Sequence, residues 1–205
     1  MRLQMTDMTL HRLDLPVPGF RTAHGAFDGR PVVLVRLVCR CDGERVVGWG
    51  EAAPLERWGT ESIDEVTGRL GSLSLPLGPL DVAEIGEAFP RLEGAPAARF
   101  ALESACLDAA ARAAGVPLAE WLGGGGVERL AVNGTLGAEA GPEEAVDLAE
   151  EGFPAVKLKL GTGDWRADLQ RTRQIRDCLP TEVDLRVDAN GSWSDHEAWR
   201  YLEGV

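Results

Sequence analysis

The sequence predicts an α+β unit over residues 1–125, followed by β/α units with a parallel sheet over residues 126–205. In the first part, a β-hairpin pattern precedes helix-like segments, the longest of which is rich in alanine. In the second part, strand-like stretches begin near residues 130, 155 and 183, with helix-like segments between them. That spacing is typical of consecutive βα units, whose strands pair in parallel.

The strand signals of the first part lie in residues 9–17 and 31–52. The run RPVVLVRLVCR is β-branched and apolar, and RVVGWGEA runs back after the dipeptide Asp42-Gly43. Asp-Gly between two such runs is a strong signal for a two-residue hairpin turn. We therefore expect two antiparallel strands joined at this turn.

Helix signals follow the hairpin. Ser62 with Glu65, and Asp81 with Glu84, have the spacing of capping boxes. Residues 95–115 read as a helix that Gly115 ends. Two oppositely charged pairs at i,i+4 spacing support that helix, Arg99 with Glu103 and Asp108 with Arg112. Further helices are predicted near residues 142–151, 164–178 and from about 194.

The charge balance disfavours two classes of partner. With 33 acidic and 21 basic residues, the net charge is −12, which opposes binding to nucleic acid and to anionic membranes. The first residues contain no apolar signal segment, and no stretch approaches the roughly 18 apolar residues of a spanning helix. We therefore expect a cytoplasmic protein without a membrane partner.

The four cysteines are too few and too scattered for a disulfide framework. Cys39 and Cys41 share a face of a predicted strand, but no second Cys or His pair follows at zinc spacing. We expect all four to be buried free thiols: Cys39, Cys41, Cys106 and Cys178.

Two predicted strands of the second part carry a polar face. Apolar residues alternate with polar ones along both strands: Val156, Leu158 and Leu160 with Lys157 and Lys159, and Val183, Leu185 and Val187 with Asp184, Arg186, Asp188 and Asn190. Strands buried on both faces would be almost continuously apolar. Because consecutive βα strands are usually neighbours, we expect an ionisable cluster on one side, with Lys159, Asp188 and Asn190 toward the carboxyl ends.

An antiparallel sheet with one solvated face would show the same alternation, and this is the structural alternative. The intervening helix signals argue against it. We predict that the lysines, Arg186 and Asp188 share a concave side while the alternating apolar residues pack against helices.

Other motifs give weaker signals. Gly123–Gly126 lacks the Lys-Ser/Thr of a phosphate loop and is expected to end a helix. The stretch GTGDW (161–165) lacks the third glycine of a dinucleotide fingerprint and is expected to be a βα loop. The three histidines, His11, His24 and His196, form no metal-ligand pair at helical spacing.

Several segments together resemble the enolase superfamily, muconate-lactonising subgroup, and most of all its o-succinylbenzoate synthases. They are FRTAHG (20–25), GWGEAAPL (48–55), ARFALESACLDAAARAAGVPLAEWLGG (98–124), VNGTLGA (132–138), VKLKLG (156–161) and LRVDANGSW (185–193). The resemblance covers nearly the whole chain. The Lys-x-Lys strand followed by Asp-Ala-Asn is its most specific feature.

The resemblance implies an α+β capping domain over residues 1–125 and the start of a (β/α)8 barrel over residues 126–205. It implies that Lys159 is the general acid/base, that Lys157 supports it, and that Asp188 is the first of three carboxylate ligands of Mg²⁺, with Mn²⁺ as an alternative. The implied substrate-binding residues are Arg21, Thr22, His24 and Gly25, in a loop that closes over the substrate, together with Arg186 and Asn190.

The implied reaction is abstraction of a proton α to a carboxylate, giving an enediolate that a divalent cation stabilises. Dehydration to o-succinylbenzoate, in menaquinone biosynthesis, is the first expectation. The alternatives are N-acylamino acid racemase, dipeptide epimerase or muconate cycloisomerase activity, and a fragment without catalysis. The expected partner is a small carboxylate, and a homo-oligomer stays open.

The length departs from the family pattern. Only three βα units follow residue 126, whereas a barrel typically needs about 200 residues or more. We therefore expect the sequence to be an N-terminal part of an enzyme that is inactive by itself, with the remaining metal ligands and a second lysine beyond residue 205.

Overall fold

The computed structural model describes residues 1–22, 25–124, 129–137, 139–161 and 163–205, with only the backbone described at 18–22 and 25–28. The chain divides into two compact units. The first comprises Met1–Gly19 and Phe27–Gly126, and the second comprises Phe20–Ala26 and Val127–Val205. Within the described ranges, no helix combines the length and the apolar character needed to cross a bilayer.

The first unit is built on an antiparallel sheet in the order β3-β2-β1-β4. Its strands are β1 (Arg2–Thr22), β2 (Gly25–Cys41), β3 (Glu44–Ala52) and β4 (Leu80–Asp81). The predicted hairpin is confirmed, because Cys41 pairs with Glu44 across a turn in which Asp42 has φ 50° and Gly43 has φ 88°. Positive φ at both central residues is what a type I′ turn requires.

In the described part of this unit, three α-helices and three 3₁₀ turns accompany the sheet. The helices are α1 (Ile63–Gly71), α2 (Pro96–Ala113) and α3 (Leu118–Trp121), and the 3₁₀ turns are Glu56–Trp58, Val82–Glu87 and Pro90–Leu92. The capping box of α1 is confirmed: the Glu65 N–H donates to Ser62 Oγ, and the Ser62 N–H donates to the Glu65 carboxylate. Hydrogen bonds from Ser62 lower the pKa of Glu65.

The second predicted capping box is wrong. The Asp81 side chain accepts a hydrogen bond from the Ala83 N–H at 3.1 Å, but a 3₁₀ segment follows instead of an α-helix. Glu84 lies inside that segment with φ −105° and ψ 15°, outside helical geometry. The Asp81 cap is thus present without the reciprocal Glu84 bond that defines the box.

Helix α2 packs very closely on β3. A Cβ placed on Gly48 or Gly50 would overlap the carbonyl oxygens of Ala105 or Ala101. Both salt bridges predicted along α2 are present, Arg99 with Glu103 at 2.7 Å and Arg112 with Asp108 at 2.8 Å. The start of α2 has no cap from its own N-cap residue.

A distant carboxylate caps α2 instead. Glu61, which is 7% exposed, accepts hydrogen bonds from the backbone N–H groups of Ala98 at 2.7 Å and Ala97 at 3.3 Å. The first N–H groups of a helix lack partners within the helix, and a negative charge is favourable there. This contact, 37 residues apart in sequence, ties α2 to the segment before α1.

The cysteines are free thiols, but one departs from the prediction. Cys39, Cys41 and Cys106 are buried, whereas Cys178 is exposed. Burial raises the pKa of Cys39 to about 11 and also raises that of Cys106. Cys178 is the last residue of its helix, which explains its exposure.

The second unit contains the predicted parallel sheet, in the order β5-β6-β7. Its elements are β5 (Gly134–Leu136), α4 (Pro142–Glu150), β6 (Ala155–Lys159), α5 (Trp165–Cys178), β7 (Asp184–Asp188) and α6 (Asp195–Leu202). The antiparallel alternative is therefore excluded for this sheet. Strand β5 is shorter than its sequence signal, since Leu130 and Val132 lie outside it and are exposed.

The core of this unit lies between the sheet and its helices. It includes Val156, Leu158 and Leu160 of the β6 region, with Ile175 of α5 and Tyr201 of α6. The predicted packing of Val187 is wrong, since that residue is 41% exposed. It lies on β7, an edge strand of the sheet in the described part of the chain. Because an edge strand has a neighbouring strand on one side only, the Val187 side chain is only partly covered.

Candidate active site

The polar face of the parallel sheet is set by its register. Lys157 is paired with Arg186, and Lys159 is paired with Asp188. On the other side of β6, Thr135 is paired with Lys157. Paired residues of adjacent strands project to the same face, so these polar residues lie together while Val156 and Leu158 face the core.

Asp188 is the most constrained group of this face. Its Oδ2 lies 2.5 Å from the ammonium nitrogen of Lys157, and its Oδ1 accepts a hydrogen bond from the Asn190 N–H at 2.9 Å. The Asn190 side-chain amide also donates to Oδ2 at 3.2 Å. The hydrogen bond from Lys157, followed by those from Asn190, lowers the pKa of Asp188 against the opposing effect of desolvation. Asp188 is thus held as a carboxylate.

Asn190 supports Asp188 directly. It has φ 50°, a left-handed conformation that asparagine tolerates better than most residues. This conformation places both its backbone N–H and its side-chain amide on the Asp188 carboxylate. The sequence predicted Asn190 to bind substrate, and in this structure its side chain is engaged in fixing Asp188.

Two further residues join the cluster from the β5 side. Arg186 donates a hydrogen bond to Asn133 Oδ1 at 3.5 Å, and the Asn133 amide donates to Thr135 Oγ1 at 3.3 Å. Sequence reasoning did not assign either Asn133 or Thr135 to the site. The available signal was their position at the start of the first strand of the second part, beside the Lys157 and Arg186 pair.

The remaining predicted substrate residues lie where the structure gives no side chains. His24 is outside the described residues. Arg21, Thr22 and Gly25 have described backbone in β1 and β2, but their side chains are not described. Their predicted substrate contacts stay predictions.

Lysine occurs in this sequence only at the candidate site. Lys157 and Lys159 are the only lysines in the whole sequence, and every other basic side chain apart from histidine is an arginine. Arginine remains protonated in proteins, whereas lysine can lose its proton and act as a base. The chain therefore places its only two side chains of this kind on one strand, two residues apart.

The described residues provide one oxygen ligand for a divalent cation, not a full site. They contain no group of three or more His, Cys, Asp or Glu side chains that could hold a metal ion. Mg²⁺ prefers near-octahedral oxygen coordination from carboxylates, waters and substrate. Asp188 fits as one such carboxylate, and a cation on its Oδ2 would replace the Lys157 ammonium there.

A family model supports the resemblance. Residues 142–205 match the enolase C-terminal domain-like family. This segment contains β6, β7 and the Lys157, Lys159 and Asp188 cluster. The match covers the second unit from α4 to α6 and does not include β5 or the first unit.

Curated relatives align with nearly the whole chain. A hydrophobic dipeptide epimerase of Enterococcus faecalis is 30% identical over 193 residues, which are 91% of this chain and 53% of the relative. An o-succinylbenzoate synthase of Geobacillus kaustophilus is 31% identical over 199 residues, which are 92% of this chain and 51% of the relative. The chain thus spans about half the length of these relatives.

A solved structure gives the same result for the fold. The dipeptide epimerase of Enterococcus faecalis V583, complexed with Mg and the dipeptide L-Leu-L-Tyr, superposes with a TM-score of 0.83 at 24% identity. The superposition covers 98% of this chain and 57% of that protein. The expected likeness to enolase-superfamily enzymes is confirmed, but the synthase is not singled out, since an epimerase and a synthase match at almost equal identity.

Proposed function

We propose that this chain carries the base and one metal ligand for abstraction of a proton α to a carboxylate. The observation that carries the proposal is the direct pairing of Lys159 with Asp188 at the carboxyl ends of adjacent parallel strands. Active sites of β/α barrels form at that end of the strands. The only two lysines of the chain lie on the same face as the ionised carboxylate of Asp188.

Lys159 is the proposed base. In its neutral form the side-chain nitrogen takes the α-proton, and the electron pair left behind moves into the substrate carboxylate. The resulting ammonium can return the proton to carbon or deliver it to a departing hydroxyl group, which then leaves as water. One side chain therefore serves as base and then as acid.

Lys157 and Asp188 have distinct proposed roles. Until a cation binds, the Lys157 ammonium holds the Asp188 carboxylate ionised and in place. Mg²⁺ bound at Asp188 would supply positive charge to offset the negative charge that develops on the substrate carboxylate. Mn²⁺ is the alternative cation.

Two substrate classes are proposed. Elimination of water to form o-succinylbenzoate, a lyase reaction, needs only Lys159 as a proton carrier. Epimerisation or racemisation of dipeptides or N-acylamino acids needs a second proton donor on the opposite face of the substrate. The epimerase similarity supports the second class as well as the synthase similarity supports the first.

The test is α-proton exchange in D₂O, followed by NMR, with Mg²⁺ and a panel of a dipeptide, an N-succinyl amino acid and the hydroxy-cyclohexadiene carboxylate precursor. Lys159→Arg is the matched variant, because arginine keeps the positive charge but cannot accept the proton. We expect the variant to lose about 10²–10⁴-fold in rate, the usual contribution of an acid/base group. Near-wild-type exchange by Lys159→Arg would overturn the proposal. Absence of exchange with the unaltered protein would count against catalysis by residues 1–205 alone and favour the alternative of a fragment without catalysis.

A further inference from the structure

Arg171 of α5 binds the carboxyl ends of two strands at once. Its guanidinium donates to the carbonyl oxygens of Gly137 at 2.6 Å and Ala140, at 2.7 and 3.0 Å, in the segment after β5. The same guanidinium donates to the carbonyl oxygen of Lys159 at 3.2 Å. The planar fork of arginine suits this task, because its five N–H groups have fixed directions.

Asp168 lies one turn earlier on the same helix and binds the next part of the backbone. It is 6% exposed, and its Oδ2 accepts a hydrogen bond from the Gly161 N–H at 2.9 Å. Residues three apart on a helix are neighbours on its surface. One donor and one acceptor on α5 therefore hold the peptide groups on both sides of Leu160.

The Lys159 carbonyl needs this partner. The Leu160 N–H donates to the Asp188 carbonyl of β7 at 2.9 Å. Because successive residues of a strand direct their N–H and C=O groups to opposite sides, the carbonyl of Lys159 points toward β5. The described pairing with β5 ends at Leu136 and Leu158. Arg171 thus supplies the hydrogen bond that a neighbouring strand no longer provides.

Gly161 fixes the other side of the same segment. It has φ 80°, and a Cβ at this position would overlap Ser192 Oγ and come within 2.9 Å of the Ala189 carbonyl oxygen. The backbone after β6 is therefore pressed against the loop that follows Asp188. Arg171 thus links the segment after β5 to the end of β6, and the close approach at Gly161 links the segment after β7 to the same place, next to Lys159.

We propose that Asp168 and Arg171, which we term the α5 clasp, are positioning residues that orient Lys159 toward Asp188. The inference rests on the proposed function, since it assigns Lys159 the role of base. The described side-chain hydrogen bonds of both residues go to backbone atoms near the ends of β5 and β6, so the clasp acts through the placement of Lys159. Displacement of a reacting group by about 1 Å can cost roughly 10²-fold in rate.

Arg176 provides a matched control on the same helix. Its guanidinium also donates to three backbone carbonyls, those of Val183 at 2.7 Å, Leu179 at 2.9 Å and Pro180 at 2.5 Å. These lie at the amino end of β7, away from Lys159 and Asp188. A purely structural role predicts similar consequences for Arg171→Met and Arg176→Met, whereas the clasp predicts different ones.

The test uses the protein labelled with ¹³C-lysine, in which two residues give all the lysine side-chain signals. We expect Arg171→Met to shift the Lys159 side-chain signals and Arg176→Met to leave them in place, with comparable losses of thermal stability. Equal spectra for Arg171→Met and the unaltered protein, or equal shifts for both variants, would overturn the proposal. This arm needs no turnover, so it decides the clasp even if the proposed function fails.

A second variant pair guards against misfolding of Arg171→Met. Asp168→Ala removes the acceptor of the Gly161 N–H, and we expect its amide exchange to rise about tenfold or more, with shifted Lys159 signals. Asp168→Asn keeps an acceptor oxygen and should restore both. If α-proton exchange is measurable, Arg171→Met should lower kcat about tenfold or more with KM little changed. Unshifted Lys159 signals in Asp168→Ala would contradict the clasp.

Discussion

Replacing Lys157 by Met removes the ammonium that contacts Asp188 while keeping a side chain of similar length. The two groups are 2.5 Å apart, and their side chains are 34% and 26% exposed. Exposed ion pairs contribute about 0.2–1 kcal/mol, and partial burial places this one near the upper end, at about 1 kcal/mol of unfolding free energy at neutral pH. We expect no more than this value, because solvent around the partly exposed Lys157 side chain screens its attraction to Asp188.

The contribution must depend on pH. The pKa of Asp188 is lowered in the folded state, first by the hydrogen bond from Lys157. A carboxylate with a lowered folded-state pKa contributes stability that is fully present above its unfolded value, about 3.9, and is lost as the pH falls through the folded value. The loss caused by Lys157→Met should therefore shrink as the pH falls below the unfolded value of about 3.9 and through the lower folded value.

Urea unfolding followed by tryptophan fluorescence measures this effect. The second unit carries Trp165, Trp193 and Trp199 as probes. A double-mutant cycle with Asp188→Asn isolates the pair, because Lys157→Met should cost little when the carboxylate is already gone. A coupling energy near zero at neutral pH, or one that does not change in acid, would refute the assignment of an ion pair that keeps Asp188 ionised.

Two further predictions concern the first unit. Gly50→Ala should lower the unfolding free energy by about 2 kcal/mol or more, because its Cβ would overlap the Ala101 carbonyl oxygen. Gly68→Ala in α1 should instead raise the unfolding free energy by about 0.5–1 kcal/mol, because no atom lies within 4 Å of the added Cβ and alanine favours a helix interior over glycine. Chemical denaturation compares the two, and equal effects would contradict the close packing of α2 on β3. Glu61→Gln should lower the melting temperature with a cost of about 1 kcal/mol, since an amide group replaces one of the two oxygens that accept from Ala97 and Ala98. An unchanged melting curve would show that the carboxylate does not cap α2.

The sequence was most informative where a pattern was local. The alternation around Lys157 and Lys159 predicted both the strand and its polar face, because side chains alternate across any β-strand. The Asp42-Gly43 turn was equally direct, since few residues accept positive φ at both positions. The capping box at Ser62 depends on residues only three apart and could also be read.

Contacts between distant residues could not be read in this way. Glu61 caps a helix that begins 35 residues later, and nothing in its neighbours indicates that role. Arg171 reads as one more charged residue of an amphipathic helix, although it binds three backbone carbonyls far from it in sequence. Such roles depend on where the chain returns in space, which no local pattern encodes.

The errors have similar physical causes. Val187 follows the apolar pattern of a packed residue, but burial depends on which neighbours cover the strand, and β7 is an edge strand in the described part of the chain. Asp81 has the local signal of a helix start, yet a 3₁₀ segment follows. The assignment of Asn190 to the substrate stays a prediction, and its left-handed backbone also directs its donors to Asp188.

The central claim is that Lys159 and Asp188 form one base-and-metal site, and paramagnetic relaxation by Mn²⁺ tests it most directly. In protein labelled with ¹³C-lysine, we expect substoichiometric Mn²⁺ to broaden the signals of both lysines. Asp188→Asn should abolish the broadening, whereas Asp184→Asn, at the start of the same strand, should leave it unchanged. Broadening that persists in Asp188→Asn, or lysine signals that Mn²⁺ does not affect in the unaltered protein, would contradict the claim.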